Sequence, residues 1–551
     1  MIDRRRLQAP QIHGAILAEP PLAETGRLLA DNRKRFNQPG RDILGRSWVD
    51  IRRQARQEAL AAAKNYLIQA GEPVPAFNAD NLFLAGHQPD LFHPGVWIKN
   101  FALNGLAKAH GAAPLNLIVD SDAAKSLTMN VPTLLSGTGK RPGEPINPDH
   151  IKMVAIPIDR WTRELPYEEL RVADEVTFVS VGDTAAAILH IWGFESILNP
   201  FWRELVDQGE RTDKMGERLA AARRTFERKW DCHNLELPVS RVCQTPSFAW
   251  FACHLVANLP EFHTIYNASI RDYRSRYGLH SKSHPVPELA AENGWLEAPF
   301  WAWRADQPRR RPLFARIGEV GIDLRLDNEM LPALPLNLNA IARAPQVVNA
   351  WQELERHGVK VRSRALMTTL FARLFLGELF IHGIGGGKYD ELTDAIIRDF
   401  YRVEPPEYLV LSGTLLLPLP ALSACQPDCH HWARELRDLR WNPERHIGER
   451  AAVSGQITLA ARNEKSDWIA EKAAWIARQP QNSDERRRRF QAIRELTSQI
   501  LPLVSEREQQ FRELLRNCER EVQANTILQN REYAFCLHPE VTLRPFLTQF
   551  L

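Results

Sequence analysis

The chain has 551 residues, 44% of them hydrophobic and 25% charged, with 70 Lys and Arg against 67 Asp and Glu for a net charge of +3. That length and composition predict several globular units with ample core, and the even charge balance argues against nucleic acid as a partner. No apolar run reaches the length of a membrane span, and no signal-like apolar segment follows the basic start. Seven cysteines, an odd number, predict free thiols in a reducing, cytoplasmic setting.

In chain order, a helical pattern over about 25–70 ends at the Gly71–Pro75 stretch. A short strand, Leu82–Ala85, leads into a loop, an amphipathic helix from Trp97 to His110 and a buried strand, Leu115–Asp120. Strand, helix and strand so close together predict a βαβ unit and hence a parallel sheet. Further strands are expected at Met153–Pro157 and Val176–Val181, then helices over Ala185–Tyr277. The Pro- and Trp-rich stretch His284–Arg304 reads as irregular, with a strand near Pro312–Ile317. A helix at Ala365–Leu376, a strand at Leu379–His382, a Gly-rich turn, a helix over Asp390–Tyr401 and a strand within Tyr408–Leu417 follow. Beyond Cys425 charge rises and glycine thins out, which predicts a helical hairpin or short coiled coil with a break near Gln479–Asn482.

Chemistry concentrates where strands give way to helices. Gly86 to Gly95 carries His87 and His93, with Lys99 a turn into the next helix; imidazoles and an ammonium there would bind an anion or move a proton, or His87 and His93 simply hold the loop. Asp120 and Asp122 end the next strand and suit an amine, a ribose or a metal ion, or else cap a helix. Gly385, Gly386, Gly387 and Lys388 form a second anion-binding candidate or a bare tight turn. His284, Trp295 and Trp301, with Trp303, would wall a substrate or merely order a connection. Cys425, Cys429, His430 and His431 lack a second cluster to complete a zinc spacing, so no metal is expected, and the Arg486–Arg489 run reads as a solvated face.

Taken together, Ala85–Gly95, the acidic strand end Ile118–Asp122, and the helix, strand and Gly-rich turn of Arg364–Lys388 resemble the bacillithiol synthase family, in that order. The region after Cys425 is similar to that family's coiled coil. The resemblance implies an α/β fold with a Rossmann-like parallel sheet, helical insertions and a C-terminal helical or coiled-coil domain. It implies boundaries at 1–80, 81–184, 185–277, 278–424 and 425–551. It also implies a ligase-type activity joining a cysteine-like carboxylate to the amine of a sugar-derived acceptor, with ATP or another nucleotide as activator. His87, His93, Asp120 and Asp122 would then be catalytic; Gly86, Lys99 and Gly385–Lys388 would hold the anion. Lys388 stands where the family carries a glutamate, and His87 and His93 replace uncharged residues. The alternative is a non-catalytic nucleotide- or sugar-binding scaffold, and either reading expects a homodimer through the C-terminal helices.

Overall fold

The computed structural model describes residues 7–78, 81–135, 146–318, 321–335, 344–447 and 459–551, with backbone alone for 459–466. The chain divides into two units: Met1–Val131, Val154–Leu417 and Arg531–Leu551 form the first, Pro132–Met153 and Pro418–Asn530 the second.

In the first unit β1 (Ile16–Glu19) precedes α1 (Thr25–Phe36) and α2 (Trp48–Gln69). The single helix expected over 25–70 is therefore two. Pro39, Gly40 and Gly45 interrupt the run, and Ser47 restarts it by accepting the Val49 N–H at 3.3 Å. β2 (Leu82–His87), α3 (Pro94–Ala109) and β3 (Ala113–Ile118) form the expected βαβ unit, with β2 and β3 parallel.

The strand expected at Val176–Val181 lies instead in α4 (Glu175–Leu189), capped by Asp174, whose carboxylate accepts the Thr177 N–H at 3.1 Å. Its buried side chains, Phe178, Val181, Ala185 and Leu189, recur at helical spacing. Then come α5 (Leu198–Asp207), α6 (Met215–Lys229), β4 (Leu235–Pro238), α7 (Pro246–Ala257) and α8 (Leu259–Tyr277). β4 pairs with β3, so the segment expected to be a mostly helical insertion also contributes a strand to the central sheet.

Strands β5 (Trp295–Arg304), β6 (Gln307–Ile317), β7 (Ile322–Leu326), β8 (Glu329–Leu334) and β9 (Val359–Ser363) make a separate antiparallel sheet, ordered β8-β7-β6-β5-β9. Residues 295–304, expected to be irregular, are thus an interior strand of it, between β6 and β9. The rings that obscured the pattern are buried on both faces: Trp295, Phe300 and Trp303. α9 (Ala344–Arg356) packs beside this sheet, and α10 (Ala365–Phe371) leads to β10 (Leu379–His382). The expected Gly-rich turn is the first turn of α11 (Ile384–Ile396), with Gly383 as its N-cap. A Cβ on Gly387 would strike the Val410 side chain, so glycine here serves close packing of the helix on β11 (Leu409–Gly413).

The central sheet runs β1-β11-β10-β2-β3-β4; β1 is antiparallel to β11 and the other pairs are parallel. Numbered by first appearance, its parallel strands stand in the order fifth, fourth, first, second, third. Chain order therefore reverses between β2 and β10, and crossover helices diverge on either side of that line.

The second unit contains α12 (Gln426–Trp441), α13 (Leu459–Ala477), α14 (Ser483–Ile500) and α15 (Ser505–Leu528). The expected break at 479–482 separates α13 from α14, where the Asn482 side chain accepts the Glu485 N–H at 2.9 Å. Arg486, Arg487 and Arg488 are exposed, whereas Arg489 is half-buried and donates to the Trp475 and Ile476 carbonyls at 2.9 and 2.6 Å. Leu436, Leu439, Val504 and Phe511 make a small core, and a Cys429–Cys518 disulfide ties α12 to α15 where free thiols were expected, while Cys232, Cys243, Cys253, Cys425 and Cys536 are free. The expected boundary at 425 falls near Pro418, and Arg531–Leu551, with α16 (Glu540–Thr548), belongs to the first unit. No helix among the described residues is long and apolar enough to cross a membrane.

Candidate functional site at the carboxyl rim of the parallel sheet

Parallel strands deliver their carboxyl ends, and the amino ends of the helices that follow, to one rim. At the reversal line β2 ends in His87 and β10 in His382, and the two segments singled out from sequence, 86–95 and 383–388, meet there. Lys99, on the second turn of α3, is the hinge of this meeting. It is 3% exposed, its Nζ donates to the Gly86 carbonyl at 3.1 Å, and a Cβ on Gly383 would lie 4.0 Å from it. No carboxylate among the described residues lies within ion-pair distance. Burial alone pulls the ammonium down from 10.5 to about 8. On the other side of the line the N–H groups of Ile384, Gly385 and Gly386 open α11, since the first helical bond runs from Gly387 N–H to the Gly383 carbonyl at 2.9 Å.

His87 and His93 reach the same rim but are partly committed. His87 sits edge-on to Phe92 with Nδ1 3.2 Å from the Gln88 carbonyl; burial, then the Lys99 charge, hold it down to about 3. His93 is the N-cap of α3, its Nδ1 accepting the Gly95 N–H at 3.1 Å, while Nε2 lies 3.3 Å from a Glu532 carboxylate oxygen. Burial, then Arg531 and Lys99, lower it to about 3, so both imidazoles are neutral at pH 7.

The returning segment adds two groups that sequence reading missed. Arg531 donates to the Gly413 carbonyl at 2.8 Å and Ser412 Oγ at 3.1 Å, beside the Gly95 turn, and its buried Nε has no acceptor among the described residues. Buried His538 has neither ring nitrogen hydrogen-bonded among those residues. Both lie more than 430 positions from Lys99 in the chain, and no local signal marks them. His382 is turned away from this duty by Asp390, 2.8 Å from its Nε2.

The two aspartates beyond β3 separate. Asp122 accepts from Gln88 Nε2 at 2.7 Å and pairs with Arg310 at 2.7 Å; against the opposing pull of burial, these partners keep its pKa below the usual carboxylate value. Asp120 instead faces a cavity of about 730 Å³ beyond β3 and β4, lined also by Glu168, Ser240, Arg241, Lys360 and Arg362. It accepts the Ser240 N–H at 2.9 Å and the Ser240 hydroxyl. Burial and then the neighbouring Glu168 raise it to about 7, against the Ser240 hydrogen bonds. The twin-carboxylate pair expected from sequence is therefore one ion-paired aspartate and one proton-exchanging aspartate.

The expected substrate wall is scattered. Trp295 is covered by the Arg316 and Arg325 guanidiniums at 4.6 and 5.0 Å, and Trp301 by Arg364 and Arg310 at 3.9 and 5.2 Å. Trp303 Nε1 donates to Glu169 at 3.0 Å. Exposed His284 meets Tyr389 of α11 edge-on at 5.8 Å, and Lys388 is half-buried on the same helix. Cys429 is taken by its disulfide, and no group of three or more His, Cys, Asp or Glu among the described residues is arranged to hold a metal ion.

Fold and rim together define a mixed α/β protein whose central sheet is mainly parallel and whose carboxyl rim buries one ammonium, Lys99, that has no ion-pair partner among the described residues. Comparison with protein-family models and with curated proteins finds no match to this chain.

Proposed function

We propose that this chain is a cytoplasmic enzyme of the bacillithiol-synthase type, built on a Rossmann-like core. It couples a cysteine-like carboxylate to the amine of a sugar-derived acceptor, with a nucleotide such as ATP as activator. The observation that carries the reading is Lys99: a buried ammonium without a counter-charge among the described residues, at the line where strand order reverses. In sheets of this order ligands bind in that crevice, and phosphate groups sit on helix amino ends. A lone buried cation is destabilising in the free protein and is sustained where a ligand supplies the anion.

On this reading Lys99, Arg531 and the N–H groups of 384–386 hold phosphate; neutral His93 offers an Nε2–H without adding charge, while neutral His87, whose N–H faces the Gln88 carbonyl, shapes the wall. Titration of pyrophosphate and ATP into the wild type and Lys99→Met tests it. Binding by the wild type and its loss in the variant are expected; equal binding by both would sink the assignment.

A homodimer through a coiled coil of the second unit is the companion proposal. Its described helices leave Trp441 61% and Phe490 57% exposed, apolar surface that a second copy would cover. A monomer mass by light scattering would refute it.

A further inference from the structure

The cavity beyond β3 and β4 is lined by two charged groups of opposite sign that no ion pair neutralises. Asp120 is buried, and both its oxygens are engaged only by Ser240, through the N–H at 2.9 Å and the hydroxyl; no cation among the described residues lies within ion-pair distance. Arg241, the next residue, donates to Gln69 Oε1 at 2.6 Å and lies 5.0 Å above the Tyr66 ring, with no carboxylate among those residues in reach.

Most other charges on the wall are ion-paired. Arg362 binds Glu168 at 2.8 and 3.0 Å and Glu355 at 2.9 Å. Lys360 binds Glu169 at 2.6 Å, and Lys214 lies 3.7 Å from Glu217. Glu58 has no ion pair among the described residues and accepts from Ser247 N–H at 2.9 Å and Gln54 Nε2 at 2.6 Å. Asp120 and Arg241 are thus left to meet one positive and one negative group, carried by something that fits the space between them. A cavity of about 730 Å³ suits a small molecule.

We propose that this cavity is a second ligand site that holds a small zwitterion, its ammonium on Asp120 and its carboxylate on Arg241. The carboxylate–guanidinium pairing is the geometry arginine favours, and a desolvated ammonium–carboxylate pair is strong only where both charges are otherwise unmet, as here. The site shares no residue with the cationic rim and stands or falls without it.

The test uses the full chain and a ruler series of amino acids: glycine, β-alanine, γ-aminobutyrate and ε-aminocaproate, each beside the hydroxy acid of the same length. Isothermal titration should find one length bound best, with its hydroxy counterpart roughly tenfold or more weaker, the loss expected for one charge-assisted contact. Asp120→Asn and Arg241→Gln should each weaken that ligand by a similar factor. Asp120 also holds the Ser240 turn, so Arg241→Gln, at a half-exposed position, is the decisive variant; its melting curve verifies the fold. Absence of binding by every amino acid, or binding unchanged in Arg241→Gln, overturns the proposal. Pyrophosphate binding, read on the same samples, should be equal in the wild type and both variants. If it falls in the variants, the two sites are not separate and the proposal is likewise overturned.

Discussion

Lys99 illustrates how a residue can oppose the stability of its own fold. Its pKa of about 8 lies below the ordinary 10.5, so the folded state prefers the neutral amine. The penalty is absent above pH 10.5, grows as pH falls toward 8 and is complete below it. Lys99→Met should therefore raise the unfolding free energy at pH 7 by about 1–3 kcal/mol while abolishing anion binding; a urea midpoint that falls would contradict it. The imidazoles act with the same sign at lower pH. His87, His93, His254 and His538 are each held to about 3, so the unfolded chain takes up protons below 6.5 that the folded chain refuses. Each would cost about 2 kcal/mol by pH 5. Asp120, raised to about 7, works oppositely and gains as pH falls from 7 toward 3.8, but one carboxyl offsets little more than one imidazole. The net expectation is a marked loss of stability from pH 7 to 5, shallower in His87→Gln and steeper in Asp120→Asn, read from denaturant titrations at the two pH values.

At the scale of elements, what sequence revealed was what neighbours in the chain decide. The β2–α3–β3 unit could be read because a strand, a Pro-started helix and an apolar strand follow each other directly, and β10 because Leu379–His382 is short and apolar. Val176–Val181 misled because its apolar residues sit in adjacent positions, and only the i, i+3, i+7 burial reveals α4. β5 was hidden by rings on both faces, and the glycines before α11 mimic a loop although at least one serves packing. Ser240, Arg362 and Arg531 could not be seen, because only tertiary structure brings them beside Asp120 and Gly95. Two changes test elements directly. Gly95→Ala would put a methyl against the Gly413 carbonyl and Arg531, so it should destabilise the first unit by about 1–3 kcal/mol and weaken pyrophosphate binding. In the second unit, where four residues form the buried cluster, the Cys429–Cys518 bond closes a long loop; Cys518→Ser should lower that unit's stability by about 2–4 kcal/mol. Dithiothreitol should have the same effect on the wild type and none on the variant.

For the molecule as a whole, the notable feature is that the first unit is discontinuous in the chain. Arg531–Leu551 brings Phe535 against Trp97 and Phe92, with ring centroids at 4.3 and 5.4 Å, and buries Leu537, Leu543 and Leu547. Removing residues 531–551 should therefore leave the second unit's helices folded, measured by far-ultraviolet circular dichroism and limited proteolysis, while the first unit loses both cooperative melting and pyrophosphate binding. If the shortened chain still bound pyrophosphate with wild-type affinity, Arg531 and His538 would have no part in the site.

That discontinuity also sets a timetable. A ribosome makes β2, β10 and β11 and then more than a hundred further residues before Arg531 emerges. Until then the nascent parallel sheet must wait with the side chains that Phe535 will cover still wetted, and the rim proposed to bind an anion lacks Arg531. A chaperone that binds exposed aromatic surface would find its target in that interval, and slowing translation between Leu417 and Arg531 would lengthen it.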